Sequence, residues 1–439
     1  MFILLRPIIF ALIGGAITAE GLSLARRKSR QLSTIAGAHE GRDMEEYGIQ
    51  MDASMRIKFE VVMVALQQAF ESDPTRFRGS PDHPLTIVDV GTGTATLIKM
   101  LDEVATQKGY HWNFVGYDMD PTFIHDHCEK RVKRDKSNIL CIQGDATNFM
   151  ATPDSSSDPV PLKEYLKTVE GGKFNPDAVI YYSILHEIYS YPQYRFMLNH
   201  VRDSLSAARD LLAEGGVVII RDFVKPAEGT GSAGYAPTFD CRKVPEGPGG
   251  AAGSPPECAV KRLDVDTEMK INDKDETASL CVADEGKKSP TEADSVHRLL
   301  KVFFDLASKE EMRGDSPFKG RVRTPPSVLS RVTEHTDRNG KEWSCIDGIF
   351  KTDIYEFIFH KDYYDQWNSE MNEEYGYWTV NSAKNILIEA GFGEEDLKRF
   401  ETVKNEWITQ HRLTGQVKIN GKEHYPDYQL LVTAVKPNK

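Results

Sequence analysis

Apolar residues along the chain follow two rhythms. Between residues 52 and 71 they recur every three or four positions, through Met55, Phe59, Val62, Leu66 and Phe70, which predicts an amphipathic helix. A turn rich in Asp, Pro, Arg and Gly follows. Short β-rich runs at 85–90, 113–117, 138–143, 178–183 and 217–222 then alternate with helical stretches at 94–104, 122–133 and 194–212. Strands separated by helices predict a parallel sheet covered on both faces.

The rhythm breaks at 227–295. That stretch is rich in Gly, Pro, Ser, Ala, Asp, Glu and Lys with few large apolar residues, which predicts a disordered, low-complexity insertion. Helical spacing resumes at 295–312. Residues 346–378 carry an unusual density of aromatics, among them Phe350, Tyr355, Phe357, Phe359, Tyr363, Trp367, Tyr375, Tyr377 and Trp378. A helix over 379–390, closed by Gly391, and a last strand over 427–435 end the chain. The expected division is an apolar segment and polar connector (1–45), a core (46–226), the insertion (227–295), an aromatic-rich part (296–378) and a returning helix and strands (379–439).

Residues 2–18 are largely apolar, interrupted by Arg6 and Pro7, and Arg26, Arg27 and Lys28 follow. The run falls short of the about 20 residues that span a bilayer comfortably. Positive charge after it predicts either a membrane anchor that leaves the main domain facing the cytosol or a mitochondrial targeting segment. A loosely packed helix is the plainer alternative.

With 439 residues, 40% of them hydrophobic, the chain can bury a sizeable core. Its formal net charge of −12 disfavours nonspecific binding to nucleic acid. None of the six cysteines forms a CxxC pair, so neither a zinc ribbon nor a disulfide scaffold is expected, and reduced thiols are. His125 and His127 suggest a metal only superficially. Without a third ligand they read as incidental residues on a surface helix, so no metal site is expected.

The chemistry begins at residues 85–96, Leu-Thr-Ile-Val-Asp-Val-Gly-Thr-Gly-Thr-Ala-Thr. A buried strand delivers Asp89. Gly91 and Gly93 then let the backbone turn tightly and admit a ligand where a Cβ would intrude. The helix start beyond offers N–H groups to that ligand. A dinucleotide fingerprint wants a third glycine where Thr96 stands. The next strand ends at Asp118, followed by Met119 and Asp120. The third ends in Gln143-Gly144-Asp145-Ala146. The fourth ends in Tyr182-Ser183 and runs into Ile184-Leu185-His186-Glu187. The fifth follows Leu-Leu-Ala-Glu-Gly-Gly and ends in Arg221-Asp222-Phe223.

This order resembles the class I S-adenosylmethionine-dependent methyltransferases, whose loop reads Asp/Glu-x-Gly-x-Gly-x-Gly. Ala95 here replaces the last glycine. The resemblance covers residues 85–225 and the tail, not the insertion or residues 296–378. It implies an α/β fold with a Rossmann-like, doubly wound, seven-stranded sheet and a terminal hairpin. It also implies S-adenosyl-L-methionine as cofactor, held by Asp89, Gly91, Thr92 and Gly93. Asp118 would accept the ribose hydroxyls with Met119 beside it. Asp120 is second choice for that role, and equally suits the N-cap of a helix opening at Pro121. Asp145 would hold the adenine amine next to Ala146, and Ser183 would face the methyl donor.

His186 is the candidate base, because an imidazole titrates near neutral pH, with Glu187 or Asp222 assisting. The bland reading is that His186 and Glu187 only open the helix after strand four. That corner lacks the Asp/Asn-Pro-Pro-aromatic clamp of base methylation and any Pro-Cys pair. A small-molecule acceptor, methylated on oxygen or nitrogen under a lid built by 296–378, is therefore favoured. A protein or RNA methyltransferase, or an inactive cofactor-binding scaffold, are the alternatives. The aromatics would otherwise simply form the core of an added subdomain.

Overall fold

The computed structural model describes residues 54–152, 158–190, 197–225, 265–271, 277–284, 324–329, 331–360, 375–423 and 425–438. Residues 2–18 and the helix expected at 295–312 lie outside them. Among the described residues no helix is long and apolar enough to cross a membrane.

Helix α1 (Met55–Ala69) and the short helix α2 (Pro74–Arg78) lead into β1 (Leu85–Val90), α3 (Thr96–Lys108), β2 (Trp112–Asp118), α4 (Phe123–Lys133) and β3 (Ile139–Asp145). Two short strands, β4 (Met150–Ala151) and β5 (Val160–Pro161), precede α5 (Leu162–Thr168), β6 (Pro176–Tyr182), α6 (Leu185–Ser190), α7 (Leu198–Leu211) and β7 (Val217–Phe223). Then come β8 (Val265–Ile271), β9 (Thr277–Asp284), β10 (Thr333–Thr336), β11 (Glu342–Phe350), α8 (Lys351–His360), α9 (Val380–Glu389), β12 (Leu397–Val403), β13 (Val417–Ile419) and β14 (Gln429–Val435).

The main sheet has the order β12-β14-β7-β6-β1-β2-β3-β4-β5. Strands β1, β2, β3, β6 and β7 pair in parallel, while β14 runs antiparallel between β7 and β12. These are seven long strands with two two-residue strands added at one edge. All six residues of β1 are buried, as a parallel strand covered on both sides must be. Val88 and Val90 pack with α5, α7 and α9, whereas Leu85 and Ile87 pack with α1, α3 and α4. β12 escaped the hydrophobic pattern because Lys398, Arg399 and Glu401 interrupt it. Such charges suit an edge strand, where they discourage pairing with another chain.

The chain moves outward from β1 through β2 and β3, then returns to β1's other side for β6 and β7. This reversal opens a crevice beyond the carboxyl ends of β1 and β6, the place where open α/β sheets bind ligands. Asp177 holds the opposite end of the same strands together. Its carboxylate accepts Nε and Nη2 of Arg76, at 3.0 and 2.7 Å, and the Thr86 amide at 2.9 Å.

A second, five-stranded sheet has the order β10-β11-β9-β8-β13. Two of its strands, β8 and β9, form inside the 227–295 interval, whose remaining residues lie outside those described. Their apolar positions, Met269, Ala278, Leu280 and Val282, are diluted in sequence by polar neighbours. With Ile346, Ile349, Phe357 and Phe359 they build a separate core, which continues onto Phe223 and Tyr428 of the main sheet. Among the described residues of the aromatic-rich part, Phe357, Phe359 and Tyr375 belong to this second core at the end of β7, whereas Tyr377 and Trp378 pack in the main one.

The expectation of reduced thiols is corrected. Cys128 on α4 is disulfide-bonded to Cys141 on β3, with Cα atoms 5.9 Å apart, and Cys281 on β9 is bonded to Cys345 on β11. Spacing along the chain carried no sign of this. The first pair is joined where a helix lies over its neighbouring strand, the second by direct pairing of Cys345 opposite Cys281. Cys241 and Cys258 fall outside the described residues.

Candidate cofactor and acceptor site

The end of β1 turns through three residues with positive φ, Gly91 (67°), Gly93 (51°) and Ala95 (56°). The left-handed conformation at Ala95 costs about 1–2 kcal/mol relative to a right-handed one, which accounts for the glycine usual there in the family it resembles. The amides of Gly91 and Thr92 donate to the Tyr117 carbonyl, tying the loop to β2. A Cβ on Gly91 would come within 2.5 Å of the Ile184 side chain, so the first loop and the loop after β6 touch across the crevice.

Three acids end three adjacent strands. Asp89 is buried and accepts the Thr92 hydroxyl at 2.9 Å. Burial pushes its carboxyl up to about 7, against the opposing effects of that hydrogen bond and of Lys58. Asp118 accepts the Gly93 amide on Oδ2 and the Asp120 amide on Oδ1, both at 2.9 Å, and burial pushes it up to about 6. Asp145 is half-buried and accepts both the amide and the hydroxyl of Thr147 on Oδ1, at 2.8 and 2.5 Å. Part of its role is thus that of a turn residue.

Beside these acids, Met119 is half-buried and its carbonyl accepts Gln143 Nε2; Ala146 packs on the core edge. Asp120 accepts the Thr122 amide at 2.7 Å and caps α4, as the plainer reading expected.

Ionised carboxylates only accept hydrogen bonds. This set therefore fits a ligand that presents hydroxyls, amines and positive charge. A pyrophosphate would meet like charge.

Across the crevice, Ser183 adopts φ 56°, and its amide donates to the Arg221 carbonyl at 2.8 Å. His186 is 4% exposed. Its Nδ1 lies 2.8 Å from Asp222 Oδ1, and its amide donates to Asp222 Oδ2 at 3.1 Å. The Phe223 amide also donates to Asp222, at 2.7 Å. Three bonds thus fix one carboxylate against one imidazole. With Nδ1 donating its proton to Asp222, the lone pair sits on Nε2, the arrangement of a general base and its orienting acid. Glu187 is half-buried in the first turn of α6, where its charge also suits the helix end.

The imidazole ring lies edge-on to Tyr375 (centroids 4.9 Å) and Phe223 (5.5 Å). Tyr377 stands near Asp222. Burial raises its phenol's pKa well above the ordinary value, with Asp222 and Tyr189 adding to the rise, and its hydroxyl is buried without a hydrogen bond inside the protein.

Two contributors went unseen in the sequence. Glu356 on α8 accepts the Gly376 amide at 2.7 Å, and His360, fully buried, stacks on Tyr375 at 4.5 Å. The spacing Glu356-x-x-x-His360 puts both on one helix face and was the available signal. Elsewhere, His125 sits on the exposed side of α4, 2.9 Å from Glu129. No group of three metal-ligand side chains occurs among the described residues.

The reversal at β1 and the antiparallel last strand slotted beside the fifth parallel one decide the architecture. The fold is that of the class I S-adenosylmethionine-dependent methyltransferases. No protein-family model matches the chain, and no curated protein does.

Among solved structures the chain is similar to human N-acetylserotonin methyltransferase in complex with SAM, at 12% identity over 89% of this chain and 56% of that one, TM-score 0.31. It is also similar to the N-methyltransferase NodS of Bradyrhizobium japonicum WM9 in complex with S-adenosyl-L-homocysteine, at 14% identity over 39% and 62%, TM-score 0.24. A Bordetella parapertussis protein described as a possible exported protein gives 12% identity over 85% and 66%, TM-score 0.33. The chain thus spans less than two thirds of each of these structures. The description of the fold rests on strand order and loop geometry rather than on these scores.

Proposed function

We propose that the chain is an S-adenosylmethionine-dependent methyltransferase in which the His186–Asp222 pair deprotonates an oxygen or nitrogen of a small-molecule acceptor. The observation that carries this reading is the 2.8 Å contact between a buried imidazole and a buried carboxylate, beside the three-acid loop and under aromatic rings. When bound, S-adenosylmethionine supplies an electrophilic methyl carbon. Asp118 and Asp145 would anchor it through its hydroxyl and amine groups. Asp222 holds the His186 ring and compensates the charge gained when Nε2 takes the acceptor's proton. Tyr375, Tyr377 and Phe223 exclude water and offer flat apolar surface to an acceptor.

The test is methyl transfer from labelled S-adenosylmethionine to metabolite, protein and RNA fractions, with wild type and His186→Ala. Label in small metabolites, lost in the variant while cofactor affinity holds, is the expected outcome. Label in protein or RNA would move the acceptor to another class. Cofactor binding without transfer to any fraction would leave a scaffold.

A further inference from the structure

Arg221 and Asp222 are consecutive on β7 and face opposite sides of the sheet. Asp222 serves His186. Arg221 enters the other face, beside α1, and its surroundings do not satisfy it. It is 3% exposed. Nη1 donates to the Tyr182 hydroxyl, and the guanidinium lies over the Tyr182 ring at 5.3 Å. Nη2 reaches the Lys404 carbonyl only at 3.5 Å, and Nε has no hydrogen-bond partner. Among the described residues no carboxylate forms an ion pair with it. Arg76 makes the contrast plain, since the same Nε–Nη2 edge there grips Asp177. A buried guanidinium without a hydrogen-bonded carboxylate is costly, and such costs persist where a ligand repays them.

A second unsatisfied group lies alongside. Gln429 is fully buried, and neither its Oε1 nor its Nε2 has a partner. Leu431 pairs directly with Arg221 across β14 and β7, and Gln429 stands two residues earlier on the same face. The two side chains are therefore diagonal neighbours, about 7–8 Å apart and within reach of each other's long arms. Val403 pairs with Gln429, which brings the Lys404 carbonyl to the same corner.

We propose that Arg221 and Gln429 form a binding site for the carboxylate of a small molecule, on the opposite face of β7 from His186. The Nε–Nη2 edge of a guanidinium matches the two oxygens of a carboxylate. The Gln429 amide supplies a further donor, and the Tyr182 hydroxyl fixes the plane of the fork. Burial raises the Glu406 carboxyl, with Lys404 and Arg221 among the charges that oppose the rise and Asp427 adding to it. Residues 402–404 and Glu406, on and just after the edge strand β12, are half-buried. The site stands whether or not the chain transfers methyl groups.

Thermal melting of the full chain in sodium formate, against sodium chloride at equal ionic strength, tests it. Formate is expected to raise the melting temperature of wild type by several degrees beyond chloride, because a ligand that binds only the folded state stabilises it. Arg221→Met is expected to melt above wild type without formate and to lose the response. Gln429→Glu, which places a carboxylate beside the guanidinium, is expected to do the same. Equal melting of wild type in formate and chloride would overturn the proposal. So would an Arg221→Met variant that melts lower than wild type or still responds to formate. If Arg221→Met does not fold, Gln429→Glu decides alone: no gain in stability would overturn the site.

Discussion

The two halves of the crevice are built by different means. The half beyond β1, β2 and β3 comes from a single stretch, residues 85–147, and its geometry is backbone geometry. It consists of glycines in positive φ, an acid at each strand end, and amides that tie the loop to β2. The half beyond β6 and β7 is assembled from parts far apart in the chain. His186 and Asp222 meet at the ends of the paired strands β6 and β7, and Tyr375 and His360 join them from the side where the five-stranded subdomain packs on Phe223 and Tyr428. Backbone geometry of the first kind needs particular residues at fixed spacing. A shell of packed aromatics needs only volume and apolar surface, and many sequences meet that need. A binding loop of the first kind can stay recognisable while an assembled acceptor pocket beside it changes.

The largest effect should fall on the assembled half. Asp222→Asn and His186→Ala are each expected to lower kcat by about 10²–10⁴-fold, the range for removing a general base or its orienting acid. Cofactor affinity should stay within about twofold of wild type if the halves are separable. Steady-state kinetics with a cofactor titration checks this; parallel loss of both would mean the halves act as one unit.

Next comes the contact between the halves. Gly91→Ala introduces a side chain at φ 67°, 2.5 Å from Ile184. It should cost about 1–3 kcal/mol of stability through backbone strain and also disturb cofactor binding. Denaturant unfolding reads the first and calorimetry the second. An unperturbed variant would show that the loops do not support each other.

The half beyond β1, β2 and β3 should also carry a pH signature. Asp89 rises to about 7 and Asp118 to about 6 from an ordinary value of 3.8, through burial. Folding therefore favours their protonated forms. The stability they contribute is full below about pH 4 and is lost as pH rises through about 6 to 7. Asp89→Asn should flatten that decline, gaining more over wild type at pH 8 than at pH 5 in melting experiments. Identical slopes would mean that Asp89 does not titrate in this range.

The smallest effect is expected at Asp120. Asp120→Ala removes the cap of α4, costing about 0.5–2 kcal/mol of stability, and should leave cofactor affinity unchanged. Weakened cofactor binding would instead make it the ribose acid.

The same division explains what could be read beforehand. Asp89, Gly91, Gly93 and Asp118 were legible because each sits where a strand must end and a chain must turn. His186 and Asp222 were legible one at a time as strand-end residues, but their 2.8 Å contact is a tertiary fact. Glu356 and His360 look like any helix face. β8 and β9 were hidden because their alternating apolar positions are few and flanked by polar sequence. The Cys128–Cys141 bridge was missed because nothing in a spacing of 13 residues says that a helix and a strand lie side by side. Arg221 was noticed only as a neighbour of Asp222. Its lack of partners is visible only when the whole corner is assembled.

The proposed methyl transfer requires the three acids of the first half to hold S-adenosylmethionine. Calorimetric titration of wild type and Asp118→Ala with S-adenosylmethionine and with NAD tests this most directly. Wild type is expected to bind S-adenosylmethionine and not NAD. Affinity should weaken from pH 7.5 to pH 5, because hydroxyl donors require the ionised carboxylate and Asp118 titrates at about 6. Asp118→Ala is expected to lose about 1–3 kcal/mol of that binding energy. Binding of NAD in preference to S-adenosylmethionine, or unchanged affinity in Asp118→Ala, would contradict the account.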